Sequence, residues 1–415
     1  MKIQRGRGFF SFLSNKCRKR EYHSTLCKIT RITVITVIID ITVITVITDI
    51  TVNELTIRYN SLNYEIWYHS IYYFPLIYQQ RRVYMPSDEI REAALRLGYI
   101  DARPVTGHPF DLWRKRLSSL PLGKTLSFEH DPVNASGWPL DEITLWIAIA
   151  QTPPMADWPD GCGEISAFYL RSRLLETRRE AWEDAAIAAG YEIKRNVTLP
   201  ERAAAIRAGF GAHGLNGLMV TPDYGSFINI TALLVHASPP SDARGPENDM
   251  SPGCGNCGLC IEACPTGAIS ENGVDAMLCL RYYISHPETM TEDDYPKMNR
   301  RIQGCETCQR VCPLNEALVP EQPPADMIEC LKLENLLNSP DIECMSNYVN
   351  PIFIKEKTIK AQAALAAANT GRKDLARMVD AFIDGNQLDP VDSRDAAFIK
   401  MGKWASEHLG KINQC

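Results

Sequence analysis

Eight of the 14 cysteines fall between residues 254 and 312, and their spacing constrains this chain more than any other feature. Cys254-x2-Cys257-x2-Cys260-x3-Cys264 is followed by Pro265. Cys279 then stands alone, and Cys305-x2-Cys308-x3-Cys312 is followed by Pro313. Two residues between thiols let one tight loop offer three soft donors to a single metal centre. Gly255 and Gly258 permit that loop and leave backbone N–H groups for the sulfurs.

The four-cysteine run with its trailing proline is the bacterial ferredoxin pattern, in which the fourth cysteine turns away to a different cluster. Eight thiols are the number two [4Fe–4S] clusters need. Crossed ligation then gives the first cluster Cys254, Cys257, Cys260 and Cys312, and the second Cys264, Cys279, Cys305 and Cys308. A pair of zinc sites is the competing reading, disfavoured because this run is rarely a zinc framework. The other cysteines, at 17, 27, 162, 330, 344 and 415, show no paired spacing. Cys162, in DGCGEI, reads as a buried or incidental thiol.

At 415 residues, 45% hydrophobic and 23% charged, the chain is neither wholly disordered nor collagen-like. No clean run of 18 apolar residues predicts a membrane-spanning helix, so no membrane partner is expected. The formal charge of -6 divides into +7 over residues 1–84 and -13 over the remainder. An acidic body argues against non-specific nucleic-acid binding but not against a local basic patch. A long chain without a signal-peptide pattern, whose cysteines cluster as metal ligands, suggests a reducing, cytoplasmic setting.

The expected class is α+β, in four segments. Residues 1–84 read as a non-domain extension or a mis-called start, with Met85 as the suspected true beginning. Within them Ile32–Val52 repeats with a period of three, which fits neither strand alternation nor a helix face. Residues 85–247 read as a mixed α/β domain. A helix with Ser87 as N-cap and Gly98 as its stop opens it. A buried strand is expected at 142–150, a helix from Leu170 to Ala189, a short helix at 199–208, and strands near 218–220 and 227–235. Composition marks 238–253 as a linker. Residues 248–320 hold the cysteines, and 321–415 read as paired helices resembling a helical repeat.

CGNCGLCIEACPTGAI, Cys279 before Arg281-Tyr282-Tyr283, and GCETCQRVCPLN together resemble the epoxyqueuosine reductase family. LPERAAAIRAGFGAHGLNGLMVTPDYGSF (199–227) is similar to that family's cobalamin segment, and the tail to its C-terminal repeat module. The resemblance covers roughly residues 86–410. It implies an oxidoreductase of queuosine biosynthesis and tRNA processing. Such an enzyme reduces epoxyqueuosine to queuosine in tRNA with cobalamin and two [4Fe–4S] clusters. It also implies an electron donor such as ferredoxin or flavodoxin. The related corrinoid reductive dehalogenases share both features, and TPDYG (221–225) is at least as close to theirs. A reductase of a small organic substrate, and a non-catalytic iron–sulfur electron carrier, are therefore the alternatives.

Under the resemblance, the cofactor-binding candidates are Gly209, Gly211, His213, Gly214, Asn216, Gly217, Tyr224, Gly225 and Ser226. The family's presumed proton donor is an aspartate in an Asp-Tyr-His motif. Leu174, Leu175 and Glu176 occupy that place here, and a lysine common in the glycine segment stands as Leu215. Reductive opening of an epoxide needs two electrons and an acid, so Glu176 and Tyr169 are the catalytic candidates. A basic group of Lys355, Lys357, Lys360, Arg372, Lys373 and Arg377 is the candidate contact for a tRNA backbone.

Overall fold

The computed structural model describes residues 87–118, 131–248, 254–255, 257–385 and 388–411, with five short strand segments before residue 67. The chain divides into Met1–Arg82 and Val83–Cys415. In the first unit Thr33–Ile39 and Thr42–Thr48 pair antiparallel, with Thr33 opposite Thr48. The sequence period of three predicts no strand there. The pairing follows instead from the strand preference of β-branched Val, Ile and Thr. The rest of the expectation for 1–84 lies outside the described residues.

In Val83–Cys415 the apolar run ITLWIAIAQ forms the central strand of a four-stranded antiparallel sheet. The elements are helix α1 (Ser87–Arg96), strand β1 (Asp101–Thr106) and strand β2 (Ile143–Gln151). Next come helices α2 (Ala167–Leu170) and α3 (Ser172–Ala188), strand β3 (Ile193–Lys194), helix α4 (Glu201–Arg207) and strand β4 (Ile228–His236). The strand order is β1-β2-β4-β3. Ile230 lies opposite Ile149, and Asp101 shares Ile149 from the other side.

Strand alternation sends the residues of β2 to two different cores. Ile143, Leu145, Ile147 and Ile149 pack with Val105, Phe210 and the Ala203–Ile206 face of α4. Trp146, Ala148 and Ala150 pack with Ile90, Ala93 and Ala94 of α1 and Leu175, Trp182 and Ala186 of α3. Helices therefore cover both faces, which is why β2 reads as a continuous apolar run. The expected linker is not loose up to residue 248. The Arg244 N–H donates to the Pro104 carbonyl at 3.3 Å, and its carbonyl accepts the Thr106 N–H at 3.0 Å. That takes up hydrogen-bonding groups left open on edge strand β1.

The cysteine segment begins with helix α5 (Leu259–Glu262) and continues through helix α6 (Leu280–Ser285), strand β5 (Arg301–Gln303) and helix α7 (Thr307–Arg310). β5 pairs in parallel with the short strand Glu164–Ile165. The tail holds the three expected helices, α8 (Glu356–Asn369), α9 (Ala376–Asp384) and α10 (Ser393–Lys411). Three further short helices between Ala325 and Ser346 precede them. One core joins Met155 and Tyr169 to Ile302, Leu331, Leu336, Ala363 and Leu409, so all three expected segments share it. No helix among the described residues is long and apolar enough to cross a membrane.

Cys330 and Cys344 form a disulfide, which corrects the reading that found no pairing among the remaining cysteines. Their separation of 14 residues carries no local signal; the bond depends on two short helices packing together. Cys162 is buried and its thiol lies 3.5 Å from the Ile328 carbonyl, as a structural thiol does. Cys17, Cys27 and Cys415 lie outside the described residues.

Trp182 is fully buried, donates its indole N–H to the Ile90 carbonyl at 3.0 Å and lies against Tyr99. Trp182→Ala should destabilise the protein by about 3–5 kcal/mol in urea unfolding. Trp182→Phe, which keeps most of the volume, should cost clearly less.

Candidate metal centre

The crossed cysteine sets come together in space. The negative charges that bear on Cys260 are those of Cys254, Cys257 and Cys312. Those that bear on Cys308 come first from Cys305 and Cys279, then from Cys260 and Cys264. Cys279 in turn feels Cys305 and Cys264. The two quartets are therefore neighbours, each drawn from both ends of the segment.

Burial pushes the Cys308 thiol strongly up, and the adjacent thiolates push it further. Burial likewise raises Cys260, Cys279 and Cys312. Four sulfurs so placed need a cation or a cationic cluster to be held as thiolates. Soft iron fits that donor set, and the backbone assists it. At Cys264 burial alone would raise the thiol. Backbone N–H groups of Thr266, Ala268 and Ile269, with the Thr266 hydroxyl, outweigh it and hold the thiol below its ordinary value. The Leu314 N–H does the same for Cys312, though burial still prevails there. In both cases the N–H lies two residues beyond the cysteine, across Pro265 or Pro313, because proline has no N–H to offer. Gly258, at φ 78°, turns the chain between Cys257 and Cys260.

A cavity of ≈ 220 Å³ joins the first quartet to the glycine segment, with Cys254, Cys257, Cys260 and Cys312 facing Gly214 and Asn216. Two braces hold the segment there. At one end the Cys254 N–H donates to the His213 carbonyl at 3.3 Å, and the Leu215 N–H lies 3.4 Å from the Cys254 Sγ. At the other, the Asn315 side chain accepts the Ser226 N–H at 2.8 Å. It donates to the Ser226 Oγ at 3.0 Å and to the Gln309 carbonyl at 2.6 Å. Gln309 donates back to the Ser226 carbonyl at 2.9 Å.

The glycines are spent on this packing. A Cβ on Gly211 would lie 2.1 Å from the Val220 carbonyl oxygen, and one on Gly225 would lie 1.8 Å from the Asn315 Oδ1. Gly209, Gly214 and Gly217 are likewise filled, by Arg244, Asn216 and Val274. Asn216 is buried and accepts the Leu218 N–H. His213 stacks on Trp113, and Tyr224 donates its N–H to the Thr221 hydroxyl. These residues shape the loop beside the first quartet. Gly214 also lines the cavity at the first quartet.

The two acid candidates part company. Tyr169 is buried, packs edge-on against Phe353 and accepts a hydrogen bond from the Arg281 guanidinium. Burial raises its hydroxyl above the ordinary value; Arg281 opposes that and Cys279 adds to it. Tyr169 therefore stands beside the second quartet. Glu176 lies on α3, paired with Arg173 at 2.9 Å. Neighbouring Leu175 is buried in the sheet core, and Leu174 is exposed. Neither Glu176 nor Leu174 lines the cavity at the first quartet.

A second cavity, of ≈ 200 Å³, opens beside Cys305 and is walled by Asp157, Glu164, Arg301, Glu306 and Arg310. Sequence reading gave no role to Arg281 or Glu306. Arg281 is two residues from Cys279. Glu306 caps the Ala167 N–H at 2.8 Å and pairs with Arg310 at 2.7 Å. The expected basic group of the tail is largely neutralised. Lys357 pairs with Asp395, Lys360 with Glu356, and Arg372 with Asp374 and Glu334.

Residues 253–315 match the 4Fe-4S double cluster binding domain. Curated relatives are epoxyqueuosine reductases. That of Bacillus subtilis is 33% identical over 178 residues, 41% of this chain and 45% of the relative. That of Aliivibrio fischeri is 41% identical over 125 residues, 29% of this chain and 32% of the relative. The chain thus spans less than half the length of the curated relatives it matches. The epoxyqueuosine reductase of Streptococcus thermophilus superposes with a TM-score of 0.63 at 22% identity, over 78% of this chain and 90% of the other. The chain is similar to epoxyqueuosine reductases over part of its length and shares their fold. An epoxyqueuosine reductase structure with a tRNA-Tyr epoxyqueuosine-modified tRNA stem loop also superposes. Its TM-score is 0.58 at 21% identity, over 78% of this chain and 98% of the other.

Within that fold Asn315 is one of the braces between the cysteine segment and the glycine segment. Asn315→Leu strands the Ser226 N–H in a buried position and should cost about 2–3 kcal/mol in thermal or urea unfolding. Asn315→Asp keeps the acceptor for the Ser226 N–H but loses the Nδ2 donor and sets a carboxylate oxygen against the Gln309 carbonyl, so it should destabilise as well.

Proposed function

We propose that the chain is an iron–sulfur- and cobalamin-dependent reductase that converts epoxyqueuosine to queuosine in tRNA. One observation carries the reading: two crossed cysteine quartets, the first against the glycine segment, in a fold shared with epoxyqueuosine reductases. Cys254, Cys257, Cys260 and Cys312 hold one [4Fe–4S] cluster, and Cys264, Cys279, Cys305 and Cys308 hold the other. Residues 85–247 form the catalytic and cobalamin-binding part, 248–320 the double-cluster part and 321–415 the helical part.

Cobalamin, when bound, supplies the reducing cobalt centre. Its proposed place is beside the loop from Gly209 to Ser226. The resemblance of residues 199–227 and the contact of that loop with the first quartet support this. The loop's part is to keep its shape through the braces at Cys254 and Ser226. His213 and Tyr224 are its half-exposed side chains that would border the cofactor.

Two electrons reach the substrate one at a time through the two clusters. The cavity at Cys305 opens the second quartet to a donor such as ferredoxin or flavodoxin, so electrons enter there and leave at the first quartet. For the acid, Glu176 and Tyr169 remain the candidates. Tyr169 keeps its proton because it is buried, and Arg281 fixes its oxygen. The tRNA assignment draws on the tRNA stem loop held by the structural neighbour. With Lys357, Lys360 and Arg372 paired, the expected basic group would offer Lys355 and Arg377 to a phosphate backbone.

Anaerobically prepared protein should carry about eight irons per chain. Cys279→Ser should lose about half of them and one of two reduced-cluster EPR signals. Retention of both signals removes Cys279 as a ligand, and zinc in place of iron overturns the reading. With added cobalamin, dithionite and a tRNA anticodon stem loop bearing epoxyqueuosine, formation of queuosine by mass spectrometry is the expected result. Clusters with no corrin binding and no product would make the chain an electron carrier. Unchanged turnover in Glu176→Gln removes that residue as the acid.

A further inference from the structure

Gln362 is fully buried in α8, and both its Oε1 and its Nε2 lack a hydrogen-bond partner, alone among the described residues. Its neighbours on the helix are almost all alanine: Ala361, Ala363, Ala364, Ala366 and Ala367 are fully buried too. A sequence that fills this helix with the smallest side chains and then places one amide among them leaves a costly group unless something accepts from it.

The surroundings say where that acceptor lies. Asn369, two turns further on the same face of α8, donates to the Tyr295 and Asn299 carbonyls, each at 3.0 Å. From there the chain enters β5, which packs along α8, and β5 leads through Gly304 into Cys305. Ala361 and Leu365, adjoining Gln362 on the helix surface, share a core with Leu280, Tyr283 and Ile284 of α6, the helix that follows Cys279. Cys305 packs against that same core. Gln362 thus lies between two sets of neighbours. Leu365 belongs to the core against which Cys305 packs, and Ile359 and Ala366 to the core that holds Ile302 of β5, just before Gly304 and Cys305.

We infer that Gln362 is a positioning residue for the second iron–sulfur cluster, its Nε2 donating a hydrogen bond to a cluster sulfur. This rests on the double-cluster reading of the cysteines. An N–H donor to sulfur stabilises the reduced, more negative cluster and so raises its potential. Removing the donor lowers that potential and leaves the first cluster untouched.

The test is an EPR-monitored redox titration of full-length, cluster-loaded protein against Gln362→Met, which preserves volume, and Gln362→Leu as a second variant. Loss of signal in Cys279→Ser assigns the second cluster. At a fixed poise near its midpoint, the ratio of reduced to oxidised second cluster should fall about fivefold in both variants, the first cluster titrating as before. Unmoved titrations of both clusters, with loaded protein that melts at the same or a higher temperature, would overturn the inference and leave Gln362 an orphaned or water-bound amide. Wild-type protein holding a single cluster would instead overturn the double-cluster reading, and the role of Gln362 with it.

Discussion

Two quartets of closely set thiols cannot be held as thiolates by protein alone. Each thiolate raises the cost of ionising the next, as at Cys308, which is pressed by burial and by Cys305 and Cys279 together. The fold answers this in two ways. It aims backbone N–H groups at individual sulfurs, as Thr266, Ala268 and Ile269 do at Cys264. It also ties the cysteine segment to the helical tail, in one core that runs from Met155 through Ile302 to Leu409. The metal is then a structural member, and the free energy of binding it is part of the free energy of folding.

What was legible in the sequence is what depends on near neighbours. Cysteine spacing is local, and the crossed sets could be written down because a three-residue step turns the fourth thiol away. The central strand was legible because both faces of β2 are covered and nine residues stay apolar. The helix that opens the α/β part was legible from its amphipathic pattern and Gly98, although Ser87 proves to be its first helical residue. Contacts made across the fold were not. Nothing near Ser226 announces Asn315, 89 residues away, and nothing near Cys330 announces Cys344. The tail's lysines read as a basic group because the sequence does not show that Asp395 folds back on Lys357.

The glycine segment shows why a motif and its reason must be separated. Read alone, the glycines of 209–225 suggest backbone bared to a ligand. In the fold their missing side chains make room for Val220, Arg244 and Asn315. A loop that fits so closely has one shape, and a cofactor beside it meets a rigid wall. Glycine here serves recognition through the fit of protein to protein, one step removed from contact.

The placing of the two quartets also bears on the path of electrons in the proposed reaction. The first quartet touches the glycine segment through Leu215 and Cys254, and the second faces outward at the polar cavity beside Cys305. A cluster that accepts electrons from outside and one that passes them inward need different potentials, yet the donor sets are identical, four thiolates each. The difference has to come from the surroundings. Cys264 and Cys279 receive several backbone N–H groups, and the first quartet receives those of Leu215 at Cys254 and Leu314 at Cys312. Arg281 and Tyr169 stand beside the second quartet. N–H groups and a cation on that side would favour the reduced state of the second cluster, so onward transfer to the first would run against potential and be drawn by the acceptor beyond it.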